Sequence, residues 1–223
     1  MKVSEALATR ISCRAFLDTP VSEEKVRALL EAAKRSASGG NLQPWHVYVL
    51  AGEPLREFVA LMEKRWQANP AGEGSEYDIY PKNLGEPYRT RRFECGEDLY
   101  GTMGIPREDK RARVMQVMRN FRFFDAPVGL FFAIDRQMGI DQWMDIGIFQ
   151  QSIMLAAREL GLHTCPQEAW AIWHKTVAEF VGMPPELMLC CGMALGYMDE
   201  SAPVNRLRTR RAELDEFATL RGF

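Results

Sequence analysis

The chain has 223 residues and a mass of 25.4 kDa, with 47% hydrophobic and 26% charged residues. That composition excludes a collagenous, low-complexity or wholly disordered polypeptide and allows roughly 70% of the unfolded surface to be buried. Twenty-eight Lys and Arg stand against 30 Asp and Glu, for a net charge of -2, so the chain lacks the positive field of a general nucleic-acid binder. The five Cys (Cys13, Cys95, Cys165, Cys190, Cys191) are scattered and odd in number. With no CxxC pair and no His at zinc spacing, neither a disulfide framework nor a metal site is expected. The longest apolar stretches, Pro127 to Ile134 and Leu187 to Gly196, are far shorter than a membrane span. No leader-like apolar region opens the chain, and the expected setting is cytoplasmic.

In chain order, Ser22 followed by two Glu caps a helix over about 22–35, with Val26, Leu29, Leu30 and Ala33 on one face. The small, polar run Ser36–Trp45 reads as a special loop and HVYVL as a strand. Pro54 then opens a second helix carrying Leu55, Phe58, Val59 and Met62 inward. Residues 68–106 follow neither period. A stretch of that length, rich in Tyr and Phe, is expected to form a lid or excursion over a site, extending to about residue 124. Residues 107–124 predict a helix with Val114, Val117, Met118 and Phe121 inward, and PVGLFFAI predicts a buried strand. The stripe Ile146, Phe149, Ile153, Ala156 and Leu160, closed by Gly161, predicts a central helix. HTCPQEAW, a helix near HKTVAEFVG, the strand LMLCCGMALGY and a polar, Arg-rich tail at 199–223 complete the chain. No repeat or compositional break divides it, so one α+β domain over 1–223 is expected.

GxGxxG after a strand, GxxxxGK[ST], GxSxG and HExxH are all absent, which removes support for Rossmann, P-loop, serine-hydrolase and zincin chemistry. Three other segments carry the signal. Arg10, Ser12, Arg14 and Phe16 fit R-x-S-x-[RK]-x-F. Ser38, Asn41, Gln43, Pro44 and Trp45 fit P-S-x-x-N-x-Q-P-W, with Ala37 in the place of the Pro. Gly196 and Tyr197 precede the basic group Arg206–Arg211. Together and in this order these segments resemble the nitroreductase family of flavin-dependent oxidoreductases.

The residue types suit such a task on chemical grounds. Arginines and a hydroxyl hold a phosphate by charge-assisted, partly bidentate hydrogen bonds. Small residues at Ser38, Gly39 and Gly40 let the backbone approach a planar ring, whose polar edge Asn41 and Gln43 can bond. The resemblance implies a central, mostly antiparallel sheet flanked by helices in an intertwined homodimer. Each FMN would lie between the N-terminal motif of one chain and the Ser38–Trp45 loop of the other. It further implies cofactor contacts at Arg10, Ile11, Ser12, Cys13, Arg14, Ala37, Ser38, Gly39, Asn41 and Gln43, and at Pro166, Gln167 and Glu168 near the reactive flavin edge. Arg14 is expected to tune the ring, and Arg208 and Arg211 are expected on the phosphate. No protein acid or base is required for hydride transfer, and the Cys13 thiol is expected to be structural because no base stands near it in sequence.

The implied activity is transfer of electrons from NADPH or NADH through FMN to an electron-poor aromatic, a nitroaromatic or quinone, with ping-pong kinetics. Asn83, Tyr88, Arg92 and Phe123 are expected to line the substrate entrance. Alternatives on the same scaffold are reductive dehalogenation of an anionic aromatic and a non-catalytic flavin-binding module. Neither a nucleic-acid nor a membrane partner is expected.

Overall fold

The computed structural model describes residues 1–223. Its helices are α1 (Val3–Thr9), α2 (Glu23–Ala33), α3 (Gly52–Ala68), α4 (Tyr88–Thr102), α5 (Lys110–Met118), α6 (Ile140–Glu159), α7 (His174–Val181) and α8 (Leu214–Phe217). The strands β1 (His46–Ala51), β2 (Val128–Asp135), β3 (His163–Gln167) and β4 (Leu187–Gly196) form one antiparallel sheet in the order β1-β2-β4-β3. β2 and β4 lie inside the sheet and are buried on both faces, which explains why they read as apolar runs without alternation.

Strand geometry still sorts their side chains into two layers. Leu130, Phe132 and Ile134 pack with Val26, Leu29, Ile146, Phe149 and Ile153 of α2 and α6, whereas Phe131 and Ala133 pack with Phe58, Met62 and Val177 of α3 and α7. Between Phe132 and Ala133 the partner on β4 jumps from Cys191 to Leu189. Cys190 is the extra residue of this bulge, and it joins Cys191 in the α2–α6 layer.

The expected elements form with local differences. Ser22 Oγ accepts a hydrogen bond from the Lys25 amide at 3.3 Å and starts α2, and Gly161 stops α6 with φ of 72°. α1 has no counterpart in the sequence reading. The 68–106 stretch is partly ordered into α4, a helix without any buried residue, which is why no apolar period announces it. Its approach is fastened to the body. Glu73 accepts hydrogen bonds from the Lys175 and Thr176 amides at 3.1 and 3.0 Å and from the Thr176 hydroxyl at 2.6 Å, capping α7 from a distance, and Glu76 pairs with Arg136 at 2.7 Å.

The expected helix over 107–124 is shorter, and Val114 and Val117 do not face inward. α5 ends at Met118, and these two residues are 50% and 41% exposed. The burial falls instead to the turn Arg119–Asp125, in which Phe123, Phe124 and Asp125 all adopt positive φ (51°, 53° and 67°). Such a run is costly for non-glycine residues. It drives Phe121, Phe123 and Phe124 into the core while Asp125 pairs outside with Arg119 and Arg122 at 3.0 and 3.1 Å.

Phe123 therefore does not line a substrate entrance. It has no exposed surface, and its ring centroid lies 4.7 Å from that of Trp170 and 5.4 Å from that of Phe131. The ring occupies the space left by Gly129, where an added Cβ would stand 2.6 Å from two of its carbons. Because both sides of this contact are rigid, Gly129→Ala is expected to lower stability by about 1–3 kcal/mol through overpacking. Chemical denaturation of the variant beside the wild type measures the loss.

Candidate functional site

The N-terminal motif crosses the end of the sheet. Ser12 bridges Thr164 of β3, Phe16 bridges Met198, and the Cys13 amide donates to Thr164 O at 2.9 Å. This extended path alternates its side chains, so Ser12 and Arg14 face outward and Cys13 inward. Cys13 is fully buried, its thiol donates to Ala15 O at 3.2 Å, and burial pushes its pKa up to about 12. The Cys13 side chain is thus a core residue and does not line the site.

The outward residues meet the tail. A cleft of ≈ 390 Å³ is lined by Arg10, Ile11, Ser12 and Arg14 of the motif, by Leu207, Arg208, Thr209 and Arg211 of the tail, and by Leu7, Cys95 and Leu99 from α1 and α4. None of its four arginines is within ion-pair distance of a carboxylate. Arg10 is held below its ordinary pKa, first by desolvation and then by the charge of Arg211. A concentration of uncompensated positive charge is unfavourable unless an anion joins it, and guanidinium forks with a serine hydroxyl suit a phosphate monoester. The donor set therefore fits the FMN phosphate.

Asn205 assembles this cleft, although the sequence reading gave it no role. It is buried, its Oδ1 accepts from the Arg14 amide at 2.8 Å, and its Nδ2 donates to Ala15 O and Asp199 O, both at 2.8 Å. Its own carbonyl accepts from Arg208 Nη1 at 2.9 Å. The tail arginines are sorted by their neighbours. Arg210 turns to Glu94 and Asp98 of α4 at 3.8 and 3.6 Å, leaving Arg208 and Arg211 on the cleft. Behind the cleft, burial and then the charges of Arg158 and Arg208 depress the His163 pKa to about 4, so its Nδ1 accepts from Arg158 Nη1 at 3.1 Å.

The second motif lies elsewhere on the chain. Ala37, Ser38, Gly39, Asn41 and Gln43 form an exposed or half-exposed loop in which Gly40, Asn41 and Gln43 have positive φ (56°, 58° and 50°). The loop is pinned by Ser38 Oγ, which accepts from the Gln43 amide at 3.0 Å. Asp145 on α6, a second residue the sequence reading missed, accepts from the Gly39 amide at 3.2 Å. Its only signal is a carboxylate adjoining the apolar stripe of α6. The N-terminal motif meets α6 at its other end, where Arg158 bonds Thr9. Thirteen residue steps of helix separate Asp145 from Arg158, about 20 Å along the axis, so a single chain does not bring the two motifs into one cleft.

Pro166, Gln167 and Glu168 line a second hollow, of ≈ 460 Å³, with Tyr80, Phe121 and Ile172 among its other walls. The Gln167 side chain is already engaged, donating to Asn120 O at 2.8 Å and accepting from Trp170 Nε1 at 3.3 Å. Desolvation raises the pKa of Glu168. Asn83 and Tyr88 are exposed on the excursion, and Arg92 stacks on Tyr80 at 3.9 Å.

The family model described as nitroreductase family matches residues 7–197. Nitrobenzene nitroreductase of Ectopseudomonas oleovorans is 40% identical over 217 residues, covering 97% of this chain and 96% of that protein. A 4-nitrobenzoate reductase of Pseudomonas putida is 37% identical over 97% of this chain and 94% of its own length. Among solved structures, the FMN- and NADPH-dependent nitroreductase NfnB from Sphigopyxis sp. strain HMH superposes with a TM-score of 0.96 at 44% identity over 100% of both chains. NfnB from Mycobacterium smegmatis in complex with NADPH superposes with 0.92 at 28% identity, over 99% of this chain and 98% of that one. The matched span takes in the arginine motif, the Ser38–Gln43 loop and the whole sheet that carries them, and on these grounds the chain belongs to the nitroreductase family.

Proposed function

We propose that the protein is an FMN-dependent NAD(P)H oxidoreductase whose electron acceptors are nitroaromatic compounds. The observation that carries this reading is the cleft of four carboxylate-free arginines, Arg10, Arg14, Arg208 and Arg211. Support comes from relatives that act on nitrobenzene and 4-nitrobenzoate and from structural neighbours that depend on FMN and NADPH. When bound, FMN supplies the two-electron carrier that takes hydride from the nicotinamide and passes electrons to the acceptor. Arg10, Ser12, Arg208 and Arg211 hold the phosphate, and Arg14 faces the polar edge of the ring. Ala37, Ser38, Gly39, Asn41 and Gln43 supply the opposing wall, with the backbone of Ile11 and of Pro166–Glu168 completing the enclosure. A cytoplasmic location belongs to the same reading and accords with five cysteines present as thiols.

Two copies of the chain form each site in this proposal. Three observations support it: the separation of the two motifs along α6, the exposed apolar side chains Ile140, Met144 and Ile148 on that same helix, and the exposed Leu214, Phe217 and Leu220 of the tail. Apolar surface on this scale is normally covered by a partner.

Purified protein is expected to be yellow, and titration followed by fluorescence quenching should show FMN binding far more tightly than riboflavin, which lacks the phosphate. Arg10→Ala should remove most of that difference, and equal affinities in the wild type would refute the phosphate clamp.

Complementation examines the shared site. Arg10→Ala and Asn41→Asp homodimers should each be impaired, whereas the mixed dimer should regain one intact site and exceed both parents. A mixed dimer no better than its parents, with mixing verified by mass spectrometry, would place both motifs on one chain's site.

Arg14 is expected to act on potential more than on affinity. A guanidinium at the ring edge favours the reduced, more negative form, and a charge-assisted hydrogen bond is worth about 1.5–3 kcal/mol. Arg14→Ala should therefore lower the two-electron midpoint potential by about 30–65 mV. Arg10→Ala, acting on a phosphate whose charge is constant, should leave it nearly unchanged, and spectroelectrochemical titration of both variants decides.

A further inference from the structure

We propose that the groove on the outer side of α4 seats the adenosine 2′-phosphate of NADPH, and that Lys82 and Arg92 there select NADPH over NADH. The inference rests on the NAD(P)H-dependent reading above and adds to it a site and a donor preference.

The groove measures ≈ 550 Å³ and is lined by Lys82, Arg89, Arg92, Phe93, Gly96 and Glu97, together with Pro81 and Leu84. Two of its four charged residues are already matched. Arg89 pairs with Glu86 at 2.6 Å, and both oxygens of Glu97 are taken by Arg113, at 2.5 and 3.0 Å. Lys82 and Arg92 have no carboxylate partner. The Arg92 guanidinium lies 3.9 Å from the Tyr80 ring centroid. Stacking occupies a face of that cation, fixes its plane and leaves its N–H edges free for a ligand.

Two unmatched cations suit a phosphate monoester, whose charge is about −2 near neutrality, better than the single charge of an aromatic carboxylate. The remaining surfaces suit a purine. Phe93 lines the groove and is 51% exposed, and the Arg107 guanidinium lies 5.2 Å from its ring centroid, so an aromatic ring and a further guanidinium stand beside the two cations. At Gly96 the space above the helix is open, since an added Cβ would meet nothing within 4 Å.

The placement agrees as well. Tyr80 stacks with Arg92 of the groove and also walls the hollow that contains Pro166 and Glu168. The groove therefore adjoins the hollow in which the nicotinamide would meet the flavin. A dinucleotide needs this relation between its two ends.

The test uses the FMN-loaded enzyme and the double variant Lys82→Gln/Arg92→Gln, with retained FMN and melting temperature verifying its fold. Calorimetry should show that wild type binds 2′,5′-ADP more tightly than 5′-AMP and that the variant loses most of this difference. The ratio of kcat/KM for NADPH to that for NADH should fall by about tenfold or more, the least expected from losing a charge-assisted contact. A second variant, Gly96→Leu, keeps both cations but fills the groove, and it should weaken 2′,5′-ADP and 5′-AMP alike.

An unchanged NADPH/NADH ratio in the folded double variant would overturn the proposal. So would a fall confined to 4-nitrobenzoate turnover relative to nitrobenzene, which would give the groove to an acceptor carboxylate. Either result would leave the enzyme's NAD(P)H-dependent function standing. Wild-type protein that oxidises neither nicotinamide would instead remove the broader reading on which this one rests.

Discussion

A single buried carboxamide joins the two ends of this chain. Asn205 uses Oδ1 on the Arg14 amide and both Nδ2 protons on the carbonyls of Ala15 and Asp199, and its backbone carbonyl receives Arg208. Buried polar groups left without partners cost about 1–3 kcal/mol each, so the segment around Arg14 and the tail around Arg208 are strongly held in one relative position. Once they are held there, four guanidiniums from opposite ends of the sequence share a cleft in which no carboxylate offsets them. The anion site follows from that tether.

The tether works because the sheet beneath it is rigid. β2 and β4 are buried on both faces, and their bulge keeps Cys190 and Cys191 in one layer while shifting the register by one residue from Ala133 onward. The strained turn at Phe123–Asp125 is held in the same way, by Phe123 filling the space above Gly129 and by two arginines on Asp125. Backbone in a sparsely populated conformation persists where its surroundings over-determine it. In the Ser38–Gln43 loop, which also carries positive φ, the fixing contacts are Asp145 to Gly39 and Ser38 to Gln43. That loop is exposed, so its strain is stored at the protein surface.

α4 links the parts of the site. Cys95 and Leu99 wall the arginine cleft, Glu94 and Asp98 draw Arg210 away from it, and Arg92, Phe93 and Gly96 face the neighbouring groove. A helix with no buried residue contributes little to the core. Its sequence is consequently free to carry charge, and its stability depends on the ion pairs and stacking contacts it makes with the tail and the excursion.

The sequence alone determined strands β1, β2 and β4, the capped helix α2, the central helix α6 and the three motif segments, because each is written in local pattern: apolar runs, 3.6-residue spacing, capping residues and closely spaced arginines. It missed α4, whose lack of a buried face erases the period. It also misassigned Val114, Val117 and Phe123, because the apolar residues of 107–124 are buried by a left-handed turn that no propensity anticipates. Cys13 is among the cofactor contacts the resemblance implies, whereas strand alternation points its side chain into the core. Only the tertiary structure decided the roles of Asn205 and Asp145, the diversion of Arg210 and the distance between the two motifs along α6. These depend on contacts between residues far apart in the chain, and such contacts leave no trace in the spacing of a single sequence.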